Sequence, residues 1–181
     1  MKRCISILRG INVSGQKKIL MKDLKALYEE LNFKNVRTYV QSGNVIFDYD
    51  KIKTTILPQQ IEEKILEKYG FHVSLIVRTV EEMEHILNNN PFLKKNKDEI
   101  NRFYVTFLSE APKQEYVAKT NELNFTPDKF IISGKEVYLL IPVSYGNTKL
   151  SNNFFENKLK VTATTRNWKT VNELVRIAKE K

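Results

Sequence analysis

Cysteine and histidine are almost missing from this chain, which has one cysteine, Cys4, and two histidines, His72 and His85, in 181 residues. A lone cysteine excludes an internal disulfide, and so few soft ligands offer no spacing for structural zinc, so no metal site is expected. Cys4 has no neighbouring histidine to generate a thiolate, and Ser42 follows no G-x-S-x-G elbow. No general base is identifiable, and no cofactor is expected. Long apolar runs are missing as well. Cys4–Leu8 is too short for the core of a signal peptide and is interrupted by Arg9, and nothing approaches the roughly 20 apolar residues of a membrane span. A cytoplasmic, soluble protein without a membrane partner is the expectation.

What is present is an ordinary globular balance, 41% hydrophobic and 28% charged, with a net charge of +9. The excess of lysine and arginine favours encounter with polyanions such as nucleic acid, nucleotides or phosphorylated metabolites. The lysines are nevertheless spread along the whole chain rather than gathered into a stripe.

Hydrophobic periodicity divides the chain into two similar runs of elements. Lys2–Arg9 alternates as a strand, Met21–Leu31 has helical spacing, and Val36–Ser42 and Val45–Tyr49 form a hairpin turning at Gly43-Asn44. Pro58 opens a second helix that stops at Gly70, and Val73–Val77 reads as a fourth strand. Thr79 and Glu82 make a capping box for a connecting helix. The polar, proline-stopped stretch Asn88–Lys97 then marks a boundary between residues 1–90 and 98–181. A strand around Phe103–Phe107, a helix over Pro112–Leu123, a hairpin turning at Ser133–Glu136, a helix through Leu150–Leu159, a short strand Val161–Thr165 and a final helix from Trp168 repeat the order. Each run reads β-α-β-β-α-β, which implies an α+β protein of two tandem ferredoxin-like subdomains, inferred from element order alone.

The chemistry concentrates between Leu8 and Phe47. Gly10 and Gly15 have the spacing of a phosphate loop, G-x-x-x-x-G-K-[ST], but Gln16 stands where the lysine belongs and Ile19 offers no hydroxyl for Mg²⁺. A nucleotide triphosphatase is excluded. Two readings stay open: Asn12, Lys17, Lys18 and Arg9 hold an anion with loop N–H groups and a helix N-terminus, or the glycines simply permit a tight turn. Arg37, Tyr39 and Gln41 alternate on one strand face, as in a single-strand RNA platform, yet no K/R-G-F/Y-G/A-F-V-x-F/Y pattern accompanies them. A sheet face covered by the other domain or by a partner chain is the competing reading. At the far end, Thr165 and Asn167 are placed to cap the last helix, with Arg166 projecting near its positive end, where an anion could be shared; the competing reading has Trp168 in the core and Arg166 bridging to a surface acid.

These segments, Leu8–Phe47 with Thr38-Tyr39 followed by Ser42-Gly43-Asn44-Val45, and the C-terminal Thr165-Arg166-Asn167-Trp168, resemble the family called domain of unknown function 1697 over essentially the whole chain. The resemblance implies a tandem ferredoxin-like α+β architecture and no established activity. Ser14 departs from it, standing where the family usually has glycine.

The function expected is a binding module for a nucleotide, nucleic acid or other anionic ligand, with Arg9, Asn12, Lys17, Lys18, Arg37, Tyr39, Gln41, Ser42, Asn44, Arg166 and Asn167 lining a cleft between the subdomains. The alternatives are a small enzyme on a phosphorylated or carboxylated metabolite, and an interaction protein that pairs through its sheet faces as a homodimer.

Overall fold

The computed structural model describes residues 1–50, 54–93 and 97–180. In chain order the first elements are β1 (Lys2–Leu8), α1 (Met21–Glu30), β2 (Lys34–Tyr39), β3 (Asn44–Tyr49), α2 (Leu57–Tyr69), β4 (Leu75–Thr79) and α3 (Val80–Asn88). They are followed by β5 (Phe103–Leu108), α4 (Gln114–Asn121), β6 (Lys129–Ser133), β7 (Glu136–Leu140), α5 (Asn152–Leu159), β8 (Ala163–Asn167) and α6 (Trp168–Lys179). The strands form two four-stranded antiparallel sheets, ordered β2-β3-β1-β4 and β6-β7-β5-β8.

The chain falls into two compact units, Met1–Glu84 together with Leu174–Lys181, and His85–Glu173. Their limits therefore fall inside α3 and α6. Of the boundary expected at Asn88–Lys97, residues 94–96 lie outside the described residues.

In the first unit, alternation sets the core. Cys4, Leu8, Val45, Phe47 and Tyr49 share one sheet face and pack with Leu24, Leu27 and Tyr28 of α1 and Leu57, Ile61 and Ile65 of α2. Burial pushes the Cys4 thiol up to about 11, which makes it an inert apolar side chain. Ile5, Ile7, Ile46 and Ile76, on the opposite face, are also buried. The last turns of α6 belong to this unit, and they meet it through Arg3, whose Nη1 donates to the carbonyls of Ala178 (2.8 Å) and Glu180 (2.7 Å). In the second unit Leu108, Val137, Leu139 and Ala163 play the corresponding part beneath Leu150, Phe155 and Leu159.

Three local expectations are corrected. The first hairpin turns at Val40–Gly43, and Asn44 is a fully buried residue of β3. Gln41 accordingly sits in that turn and is not part of a strand face with Arg37 and Tyr39. The strand near the C-terminus runs Ala163–Asn167, two residues later than the alternation suggested, because Val161 lies in the bend that leaves α5. The duplication also extends to residues: Arg78 and Arg166 are each the penultimate residue of the fourth strand of their unit. Both are buried, and each donates through Nη1 to the carbonyl of the preceding residue, Val77 (3.1 Å) and Thr165 (2.9 Å).

Candidate functional site

The loop after β1 is held by two buried anchors, Ile11 and Ile19, which leave residues 13–18 exposed between them. Asn12 closes the neck. Its Oδ1 accepts from the Ile19 N–H at 2.9 Å, and its Nδ2 donates to the carbonyls of Ile19 and Gln41, each at 2.9 Å. One amide thus ties the loop to itself and to the β2–β3 turn. At the tip, Val13 and Gln16 bridge across Ser14 and Gly15, whose φ values of 50° and 74° match the two left-handed positions of a tight hairpin turn. Glycine would be the relaxed residue at both positions, so Ser14 costs a little strain and nothing in packing, since it is exposed.

In this geometry the Gly10–Gly15 spacing belongs to a loop folded on itself. The Asn12 and Gln16 N–H groups are turned inward onto the carbonyls of Lys17 (3.2 Å) and Val13 (2.9 Å), so the loop pairs with itself. Lys17 Nζ is likewise engaged, donating to the His72 carbonyl at 2.8 Å. Lys18 faces differently. With Asn12, Leu20, Asp23, Gln41 and Tyr69 it lines a hollow of about 350 Å³ at the start of α1. Leu20, the residue before that helix, supplies no side-chain cap. The Tyr69 hydroxyl, contributed by the last turn of α2, is buried and has no hydrogen-bond partner among the described residues. Burial raises its pKa, while Lys68 pulls the other way. That Tyr69 and Asp23 line this hollow is not legible in the sequence, where their only signal is helical periodicity and a first-turn acid.

The other expected residues of the first unit make the following contacts. Asn44 Nδ2 donates to the Tyr39 carbonyl (3.0 Å) and Ser42 Oγ (3.2 Å), bracing the turn from inside. Arg37 donates to Glu180 at 3.2 Å, so its part of the sheet face is met by the C-terminal segment. Arg9 is half-buried, with its N–H on the Ser74 carbonyl at 2.8 Å.

In the second unit Asn167 Oδ1 accepts from the Thr170 N–H at 2.8 Å and caps α6 as expected. Thr165 does not cap. Its hydroxyl lies between Thr106 Oγ1 (2.7 Å) and Asn152 Oδ1 (2.6 Å) on the helix side of the sheet. Arg166 is buried, not projecting: strand alternation places it opposite Val105. Burial lowers its guanidinium to about 10, with Tyr145 acting in the opposite sense, and it remains charged at neutral pH. The loop after β1 and Arg166 belong to different units.

A family profile described as "Protein of unknown function (DUF1697)" matches residues 1–138. The chain belongs to the DUF1697 family. No curated protein matches it. Among solved structures, this DUF1697 protein is similar to a conserved bacterial protein from Streptococcus pneumoniae. The two are 24% identical with a TM-score of 0.76, over 99% of each chain, a likeness that speaks to the fold alone. Among the described residues no helix is long and apolar enough to cross a membrane, and no cluster of three or more histidine, cysteine or acidic side chains could hold a metal ion.

Proposed function

We propose that this DUF1697 protein is a binding module for a small anionic ligand, a nucleotide or phosphorylated metabolite, taken at the start of α1 in the first unit. The observation that carries the reading is the hollow beside Lys18, where a buried tyrosine hydroxyl without a partner and a helix N-terminus without a side-chain cap converge. Helix N–H groups and a lysine favour negative charge. The volume falls within the range of small-molecule sites. Asp23 lines the same hollow and accepts from a ligand hydroxyl or amine, which disfavours bare phosphate. A nucleic-acid strand is the weaker candidate, because Arg37 is held by Glu180. The ferredoxin-like reading of each unit rests on its β-α-β-β-α-β order and its antiparallel sheet orders.

The test is a thermal-shift and calorimetric screen of nucleotides and sugar phosphates. Lys18→Ala should weaken binding while leaving Tm nearly unchanged, and affinity should fall as salt rises. Lys17→Ala should lower stability by about 1 kcal/mol through its lost bond to His72. Ligand affinity that ignores both salt and Lys18 would defeat the proposal.

A further inference from the structure

The two sheets end in the edge strands β2, β4, β6 and β8, and three of these are guarded. On β4 the outward N–H groups of Leu75 and Thr79 donate to Glu62 (3.0 Å) and Glu82 (2.8 Å), and the Val77 carbonyl accepts from Arg78 at 3.1 Å. On β8 the same device recurs: the Ala163 N–H donates to Glu156 at 3.0 Å and the Thr165 carbonyl accepts from Arg166 at 2.9 Å. β2 carries Lys34 and Arg37, with a shift of register between them. Charges, irregular register and occupied main-chain groups keep sheet edges from pairing with another chain. Apart from Lys129 at its first position, β6 has no such guard. Its register against β7 is unbroken from Lys129 to Ser133, and the two-residue turn Gly134-Lys135 makes Ser133 and Glu136 the closing hydrogen-bonded pair. Alternation from that pair turns the N–H and C=O groups of Phe130 and Ile132 outward, and among the described residues nothing bonds to them. Ile131, between them, is 41% exposed. A hollow of about 390 Å³ is lined by the successive β6 residues Lys129–Ile132 together with Leu123 and Phe125. Successive strand side chains point to opposite faces, so this lining places the hollow along the edge itself.

We propose that β6 pairs with β6 of a second copy of this chain, antiparallel about a two-fold axis at Ile131. The edge is self-complementary in that register. Phe130 stands opposite the partner's Ile132, so the outward donors of each meet the acceptors of the other. Ile131 meets the partner's Ile131 at a non-hydrogen-bonded pair, where side chains approach most closely, and an exposed apolar residue leaves water. Residue 128 falls across from the partner's Gly134, which sets Asp128 beside the partner's Lys135, while Lys129 faces the partner's Ser133. Opposite charges therefore meet at both ends of the paired edge and like charges at neither. An extended peptide of unrelated sequence finds the same main-chain groups but lacks this match of side chains.

Sedimentation velocity and light scattering on the full chain, over a range of protein concentrations, test the pairing. A monomer–dimer equilibrium is expected. Ile131→Lys sets two ammonium groups against each other at the axis and should weaken association by about tenfold or more, with circular dichroism and Tm unchanged because the position is exposed. Lys135→Asp, in the exposed turn, should weaken it several-fold by facing the partner's Asp128, an effect that added salt should shrink. A chain that stays monomeric at every concentration, or a dimer that Ile131→Lys leaves intact, would overturn the proposal; the first result would leave the edge to a strand from another protein. Neither result touches the Lys18 hollow, which lies in the first unit and is probed by anions.

Discussion

The two units leave their first strands in the same way and then diverge. In the first, the Leu8 N–H donates to the Gly43 carbonyl (2.8 Å) and the Arg9 N–H to Ser74 (2.8 Å); in the second, Leu108 donates to Lys135 (2.8 Å) and Ser109 to Thr162 (2.9 Å). From that shared point the first unit uses residues 9–20 to reach α1, whereas the second reaches α4 through residues 109–113. The buried arginine of the fourth strand is common to both, so it belongs to the scaffold. The looped neck of Asn12, the turn at Ser14-Gly15 and the hollow beside Lys18 occur in one unit only. Duplicated framework with a single elaborated exit places the candidate binding chemistry in the first unit.

Breaking the scaffold should expose the same asymmetry. The largest effect is expected at the helix that follows each fourth strand. Trp168 opens α6 and is 4% exposed, whereas Val80, in the same place on α3, is half-buried. Trp168→Ala should cost about 3–5 kcal/mol in chemical denaturation and Val80→Ala clearly less. Equal losses would show that the two helix starts are equivalent. The next effect separates the two hairpin turns. Gly43 has φ +79°, and a Cβ there would lie 2.6 Å from Ile11 Cδ1 and 2.9 Å from Leu8 Cβ, while Gly134, at φ +59°, has open space. Gly43→Ala should therefore cost about 2–4 kcal/mol, combining left-handed strain with overpacking, against about 1 kcal/mol for Gly134→Ala. Similar melts for the two variants would mean that Ile11 moves aside and that the loop is not locked onto the turn.

Period-two and helical patterning made the element order readable, although β1 and β3 are buried on both faces and their alternation separates two sets of buried side chains rather than buried from exposed ones. The Thr79–Glu82 capping box is present in both directions, at 2.8 and 3.3 Å. The candidate site was less legible. Asn12, Ser42 and Asn44 are the right residue types for binding, but short amides and hydroxyls serve equally well to brace turns, and only tertiary geometry separates the two uses. Arg166 misled for a related reason: a shift of two residues in the strand's end moves it from a projecting position beside the start of the last helix into a buried strand position. Tyr69 carried no signal, since an apolar stripe does not reveal whether its tyrosine hydroxyl finds a partner.

The smallest expected effect concerns one matched pair of sheet positions. Arg3 faces Asp48 across β1 and β3 at the register point where the second unit pairs Phe103 with Leu140. The Arg3 guanidinium, bonded at 2.7 and 3.0 Å, holds the Asp48 carboxyl below its ordinary range; burial opposes this and Asn35 Nδ2, at 2.6 Å, reinforces it. A carboxylate with a depressed folded pKa contributes stability that is fully present above its unfolded value, about 4, and is lost as pH falls through the folded value. Asp48→Asn should therefore cost about 1–3 kcal/mol at pH 7, and the gap to wild type should close as urea melts are repeated below pH 4. Arg3→Phe/Asp48→Leu, which copies the second unit's apolar pair, should remove this pH dependence with a smaller loss than the single variant, because no uncompensated charge is left behind. Since Arg3 also donates to Ala178 and Glu180, some loss must remain in the double variant. A gap between Asp48→Asn and wild type that persists unchanged at pH 3 would mean that the aspartate acts through its shape and neutral hydrogen bonds, and that the charge pair is not what distinguishes this position from its apolar counterpart.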